Sequence, residues 1–395
     1  MEYRGASMLS NRVPRDTTPN LWAQRLAELR ESGRPLIDLT EANPTRVGLS
    51  GVGQLELAAL ADPQGMVYDP APRGMESARG AIARYYRERG LEVDPEHIVI
   101  TASTSEAYAH LFRLLMDPGQ KVLVPAPSYP LFEPLATVEG VETLVWRLVY
   151  DGRWHVDLDS IERGLDAGAR ALIVVQPNHP TGTGLSPEEL GAIETMCGRA
   201  GAALISDEVF GDFAWPGRAK LPSLLGARRV PTFVLSGLSK VCGMPQLKLG
   251  WIALAGPEPE REKALRGLEW ISDLFLSVAM PVQHALPRLL EGRHEFQSLT
   301  RTRIQSNLER LARFIARHPE VTRLEGDGGW IAILRVPARR SGEEWALELL
   351  DRGVIAHPGH FYDIEGEAYL VVSLIVQEDA LERALALFES VLAEA

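Results

Sequence analysis

The chain has 395 residues, 45% hydrophobic and 24% charged, with a net charge of −12. That length can bury a large core in two domains, and the acidic balance, with no basic block set against it, excludes nucleic acid as an expected partner. No stretch approaches a membrane span, the start MEYRGASMLSNRVPRDTTPN lacks the apolar run of a signal peptide, and only two cysteines, Cys197 and Cys242, fit a reducing, cytoplasmic setting.

From about residue 95 strands and helices alternate. HIVITA and KVLVPAP read as buried strands on either side of the helical SEAYAHLFRLLMD, and ETLVWRLV, RALIVVQP and AALISDEVF follow as strands. The helix SPEELGAIETMCGRAG precedes the last of these. It opens with Ser186, Pro187 and Glu189, which are an N-cap, a first-turn proline and a capping-box acid. VPTFVL and LGWIALA are two further apolar runs. Beyond about residue 290, RTRIQSNLERLARFIARH predicts a long amphipathic helix, followed by strands in GGWIAILRVP and AYLVVSLIV and a terminal helix in EDALERALALFESVLAEA. The pattern implies an α/β fold. A mainly parallel sheet covered by helices would span residues 49–290, with a smaller α+β domain over 291–395 that the segment 1–48 joins.

Chemistry-bearing residues gather where the strands end. Lys240 in SGLSKVCGMPQLKLGW sits in the connection after VPTFVL, with a second lysine, Lys248, eight positions on. Strand ends are where open α/β sheets build sites, and a nucleophilic lysine needs a setting that removes its proton. At Ser103, STSE forms a capping box to Glu106. It is either an ordinary helix cap or a phosphate cradle, in which Ser103, Thr104 and Ser105 offer hydroxyls at the positive end of a helix. Asp207 ends an apolar strand and needs a cationic partner, either a structural ion pair or a protonated ligand nitrogen. QPNHPTGTG, residues 176–184, must turn sharply. No Walker loop, dinucleotide fingerprint or Gly-x-Ser-x-Gly elbow is present, since GVGQLE lacks the third glycine. The HPGH pair His357 and His360 has no nearby third ligand, which argues against a metal.

Taken together and in this order, these segments resemble the class I/II aminotransferases, the fold-type-I family that uses pyridoxal 5′-phosphate, from roughly Pro35 to the C-terminus. The resemblance implies an aspartate-aminotransferase-like large domain and a homodimer with shared active sites. It makes Lys240 the cofactor lysine and Asp207 the partner of the pyridinium nitrogen. PSYPLF places Tyr129 where an aromatic ring stacks on the pyridine, and PNHPTG matches the family's Asn-Pro-Thr-Gly turn. Ser103, Thr104, Ser105, Ser236, Ser239 and Lys248 would hold the phosphate, and Tyr68 would cross to the partner subunit's phosphate. HPGHFY looks like the late Pro-Gly turn beside the substrate.

Four positions depart from the family pattern. Lys248 stands for an arginine, keeping charge but not the bidentate fork. His179 stands for the asparagine that donates to the cofactor's phenolic oxygen, with Asn178 adjacent, and Phe210 replaces the tyrosine partner of that oxygen. Val371 in YLVVSL occupies the place of the arginine that binds the substrate's carboxylate, leaving Arg46 and Arg73 as candidates for that task. The implied function is exchange of an amino group between an amino acid and a 2-oxo acid. A β-lyase or decarboxylase of the same fold, and a non-catalytic cofactor-binding regulator, are the alternatives.

Overall fold

The computed structural model describes residues 10–14, 16–49, 53–366 and 368–394. The first nine residues, which enter the signal-peptide expectation, and Gly51 and Val52 of GVGQLE lie outside them. Eight strands build the main sheet: β1 (Ile98–Thr101), β2 (Lys121–Ala126), β3 (Glu142–Tyr150), β4 (Trp154–Val156), β5 (Ala169–Val175), β6 (Ala203–Asp207), β7 (Thr232–Gly237) and β8 (Gly250–Ala255). Their spatial order is β1-β8-β7-β6-β5-β2-β3-β4. β7, β6, β5, β2 and β3 run parallel to their neighbours, while β8 is antiparallel to both β1 and β7 and β4 closes an antiparallel edge. All residues of β6, β7 and β8 are buried, as expected of strands with helices on both faces. Thr101, Val175, Asp207 and Gly237 therefore end on one side of the sheet, and the candidate residues follow them directly.

A second, antiparallel sheet has the order β9-β10-β12-β11, from Thr322–Arg323 (β9), Ile331–Arg335 (β10), His357–Pro358 (β11) and Tyr369–Ser373 (β12). Strand alternation gives it two faces. Ala332, Leu334, Leu370 and Val372 pack into a core with the helices Arg293–Arg317 and Glu378–Glu394. Ile331, Ile333 and Val371 face the other way, against Tyr362 and against Tyr150 and Trp154 of the main sheet's edge hairpin. The N-terminal segment adds Ile37–Asp38, parallel to Val354–Ile355, and the helix Leu21–Glu31. That helix is capped by Asn20 and buries Trp22, Leu26 and Leu29, one stripe at helical spacing.

Three local expectations need correction. The long amphipathic helix begins at Arg293, eight residues before the sequence pattern became readable, because Phe296, Gln297 and Thr300 are buried there among polar neighbours. LGWIALA is antiparallel to its neighbours, a direction that hydrophobic pattern does not encode. At Ser103 only half of the capping box forms: its Oγ accepts from Glu106 N–H at 3.2 Å, while Glu106 Oε2 accepts from Ala102 N–H at 2.6 Å instead of from Ser103.

Candidate active site

Lys240 lies in the single turn Leu238–Val241 that follows β7. Its ammonium is 4.8 Å from the centroid of the Trp330 ring and 5.5 Å from that of Phe210. Burial drives its pKa down to about 8, and the field of Asp207 opposes part of that fall. Asp207, at the end of β6, accepts from Tyr108 Oη at 3.1 Å and from Val209 N–H at 3.2 Å. Burial outweighs those bonds and pushes its carboxyl up to about 6. The two groups feel each other electrostatically, yet neither forms an ion pair among the described residues. Each is a desolvated charge awaiting a partner.

Around them stand aromatic rings. His179 lies flat against Phe210, with centroids 5.8 Å apart and planes 13° apart, and meets Tyr129 and Tyr362 edge-on at 5.6 and 5.5 Å. Burial, with Lys240 and His357 nearby, lowers its pKa to about 3, so the imidazole is neutral. The turn carrying it is tight. Asn178 N–H donates to Thr183 O, Gly182 N–H donates to Asn178 O, and Asn178 Nδ2 donates to Pro127 O and Thr181 Oγ1. Gly182 has φ +72°, and a Cβ there would come within 2.7 Å of Gly328 O, so only glycine closes this turn against the second sheet's loop.

On the other side of the lysine, β1, β7 and β8 converge on the start of the helix Thr104–Leu115. A Cβ on Gly250 would stand 3.1 Å from Ser103 C, 3.1 Å from Ser236 O and 3.2 Å from Thr104 N. Glycine thus lets the start of the helix and Ser236 pack directly against β8. Ser103, Thr104, Ser105 and Ser239 are half-buried at this junction, and Ser236 Oγ is buried without a hydrogen-bond partner among the described residues. Lys248 follows in left-handed backbone, φ +49°, a conformation costly for a lysine, with its side chain exposed.

Other candidates lie apart from this cluster. Tyr68 is 77% exposed and borders a recess with His110 and Ser277. Arg46 is exposed and pairs with Glu41 at 3.3 Å. Arg73 is held by Glu96 at 2.8 Å and by Glu269 at 3.7 Å, so its guanidinium is already engaged. The structure brings neither arginine to Lys240.

Sequence reasoning missed four residues. Tyr108 bonds Asp207, and its position one helical turn after Thr104 was the available signal. His357 Nδ1 lies 2.9 Å from Tyr362 Oη, and both rings reach the His179 cluster; HPGHFY was noted only as a turn. Trp330 backs the lysine, hidden inside an apolar run.

This donor set fits a ligand bearing a phosphate and a protonatable ring nitrogen. A helix start carrying half-buried hydroxyls at Ser103, Thr104 and Ser105 suits a phosphate, Asp207 lacks a cation, and Ser236 Oγ and Asn178 Oδ1 are buried without partners among the described residues. A mostly parallel sheet with such a site after its strands, paired with a small antiparallel sheet, defines a fold-type-I pyridoxal-phosphate enzyme. The profile of the family described as aminotransferase class I and II matches residues 31–387, and the chain belongs to that family. It is an aminotransferase that uses pyridoxal phosphate and acts on amino acids and 2-oxo acids. The chain is 25% identical over 356 residues to glutamate-pyruvate aminotransferase AlaA of Haemophilus influenzae, covering 88% of each protein. It is 33% identical over 236 residues to S-alkyl-thiohydroximate lyase SUR1 of Arabidopsis thaliana, covering 58% of this chain and 50% of that one. Its fold is like that of alanine aminotransferase from Pyrococcus furiosus, with a TM-score of 0.86 at 23% identity, over 94% of this chain and 96% of that chain.

Proposed function

We propose that Lys240 and Asp207 are the catalytic pair of this aminotransferase. Pyridoxal phosphate, when bound, supplies an aldehyde that receives the amino group and a ring that accepts the electron pair released at the substrate's α-carbon. Lys240 would hold that aldehyde in the resting enzyme and, once displaced by an incoming amine, carry the proton to and from the α-carbon. Its pKa of about 8 makes the neutral amine accessible near physiological pH, which an exposed lysine does not offer. Asp207 would keep the ring nitrogen protonated, with Tyr108 orienting the carboxylate. Ser103, Thr104, Ser105, Ser236, Ser239 and Lys248 would bind phosphate, Tyr129 would cover the ring, and His179, with Asn178, would donate to its phenolic oxygen.

One observation carries this reading: a half-buried lysine and a buried aspartate act on each other beside the Phe210 and Trp330 rings without forming an ion pair among the described residues. Borohydride reduction of the cofactor-loaded enzyme, followed by peptide mapping, is expected to find the label on Lys240. Lys240→Ala is expected to bind cofactor without turnover. A label on Lys248 or any other lysine refutes the assignment.

The working form would be a homodimer in the cytoplasm, with the partner subunit's Tyr68 completing each phosphate site. Support comes from exposed apolar side chains on neighbouring segments, Met66, Val67, Tyr68, Trp270, Leu274 and Phe275, more than a lone monomer usually leaves open to water. Two free, buried cysteines suit a reducing compartment. The division into a cofactor-binding unit 49–290 and a smaller unit 291–395, joined by 1–48, is supported by the pairing of Ile37–Asp38 with Val354–Ile355.

A further inference from the structure

We infer that Gln297 is a positioning residue for the catalytic pair, holding the segment that carries Lys240 against the segment that carries Asp207. The inference rests on the catalytic reading of those two residues and adds one that acts on them only through the backbone. Lys240 leaves β7 in the single turn Leu238–Val241, and Asp207 ends β6 before the chain runs on to Asp212. Gln297 lies on the long helix Arg293–Arg317, which packs into the core under the second sheet. It is 5% exposed, and its Nε2 donates at 3.1 Å to Val241 O and at 3.1 Å to Asp212 Oδ2. One side-chain amide thus joins the continuations of the two strands that deliver the pair.

Both partners are acceptors, so the amide must turn its nitrogen toward them, and its two N–H groups serve one each. The need at each end follows from the local structure. A single turn cannot hold itself in helical form, and its last carbonyls have no intrahelical donor. Val241 O, the carbonyl just after Lys240, belongs to a fully buried residue, and Gln297 supplies its donor. A buried carbonyl without one is costly. At the other end Asp212 is anchored. Tyr85 Oη donates to the same Oδ2 at 2.9 Å, and Arg89 Nε pairs with Oδ1 at 3.4 Å. Arg301, one helical turn beyond Gln297, donates to Asp212 O at 3.4 Å. The glutamine therefore ties the lysine's turn to a fixed, buried acid.

A second contact works from the same place. Gly243, two residues beyond Val241, has φ +68°, and a Cβ there would fall 2.4 Å from the Phe296 ring. Glycine brings the chain after the lysine directly onto the long helix. Phe296 meets Trp330 at 6.2 Å, and Trp330 is the ring 4.8 Å from the Lys240 ammonium. The start of the long helix so reaches the lysine's turn through Gln297 and the ring that backs its amine through Phe296. Lys240 must deliver its proton to one atom, and a misplacement of about 1 Å in such a group costs on the order of a hundredfold in rate.

Two substitutions test this. Gln297→Met keeps the size and removes both donors, and Gln297→Asn keeps the amide but is too short to bridge the two acceptors. Each is expected to lower kcat by about tenfold or more with KM for the amino donor changed by less than about threefold, since placement and not substrate binding is lost. A second readout needs no substrate: the rate at which cofactor added to the cofactor-free protein becomes fixed to Lys240 by borohydride is expected to fall by about tenfold. Thr300→Val controls for loosened packing. Its hydroxyl is buried on the same helix without a bond among the described residues, and both rates are expected to stay within about twofold of wild type. Circular dichroism and thermal unfolding establish that each variant is folded; if Gln297→Met is not, Gln297→Asn carries the test. Wild-type rates in the folded Gln297 variants, or an equal loss in Thr300→Val, overturn the inference and leave the catalytic reading standing. A label on a lysine other than Lys240 in the wild-type enzyme overturns both.

Discussion

In the cofactor-free protein, Asp207→Asn is expected to stabilise the fold near neutral pH, although it removes the carboxylate proposed to pair with the cofactor's ring nitrogen. Burial raises the Asp207 carboxyl from its ordinary 3.8 to about 6, against the pull of the Val209 N–H, the Tyr108 hydroxyl and Lys240. A carboxyl whose folded pKa lies above its unfolded one favours folding only while it is protonated. Its contribution is complete below pH about 4, fades as pH rises through 6, and is absent above that. At pH 7.5 the folded chain therefore holds an ionised carboxylate that the unfolded chain would solvate better, a cost of about 3 kcal/mol for a shift of roughly two pH units. Asparagine has nearly the same shape; its Oδ1 can keep the bond from Val209 N–H while its Nδ2 donates to Tyr108 Oη, so the substitution removes the charge without opening a cavity. Because Lys240 loses a favourable neighbour, the net gain is expected at about 1–3 kcal/mol at pH 7.5 and about half of that at pH 5. Urea unfolding of both cofactor-free proteins at the two pH values measures it directly. A variant no more stable than the wild type at pH 7.5 would mean that the carboxylate is not held at a cost, and the pairing with a cationic ring nitrogen would lose its physical motive.

Gly250→Ala places a methyl 3.1–3.2 Å from backbone atoms of Ser103, Ser236 and Thr104 that cannot easily move. It is expected to weaken cofactor affinity by about tenfold or more by displacing the helix start, with an overpacking cost of about 1–3 kcal/mol; unchanged affinity by fluorescence titration would show that this helix start is not the phosphate cradle. Arg46→Ala is expected to change KM for the amino donor by less than about threefold, since an exposed arginine paired with Glu41 has little binding energy to lose. A tenfold rise would instead return the carboxylate to Arg46, as the resemblance alone implied.

The centre of the main sheet was legible because β6, β7 and β8 are buried on both faces, so they appear as unbroken apolar runs. That same burial erases direction, and LGWIALA could not be told from its parallel neighbours. The Ser186–Glu189 capping box formed in full, because the carboxylate splits its claimants: Oε2 accepts from Ser186 N–H and Oε1 from Val156 N–H. At Ser103 the corresponding acid has a second claimant, Ser277 Oγ at 2.7 Å, contributed by a segment more than 170 residues away. No local pattern carries that. The site divides in the same way. Lys240 and Asp207 were readable because a charge at the end of an apolar strand is anomalous by itself. Tyr108, Tyr362, His357 and Trp330 were not, because neutral rings in apolar surroundings are what any core contains, and only their contacts with Asp207, His179 and Lys240 distinguish them.

That convergence bears on how the site can work without a guanidinium at Val371. A cleft with many fixed charges recognises its ligand by pairing each of them, and a lost arginine there leaves an orphaned anion. Here the cleft-side neighbours of Val371 are Ile331, Ile333 and Tyr362, so the position is buried in apolar packing that the hairpin residues Tyr150 and Trp154 complete. The substitution is thus consistent with its surroundings: His179 is neutral, Phe210 carries no hydroxyl, and Tyr362 holds its proton, with its pKa raised to about 12 by burial. Each of these residues lowers the local need for countercharge. In the proposed site Lys240 and Asp207 would then be the two charges at the reacting centre, where low polarity strengthens the pull of each on a developing charge.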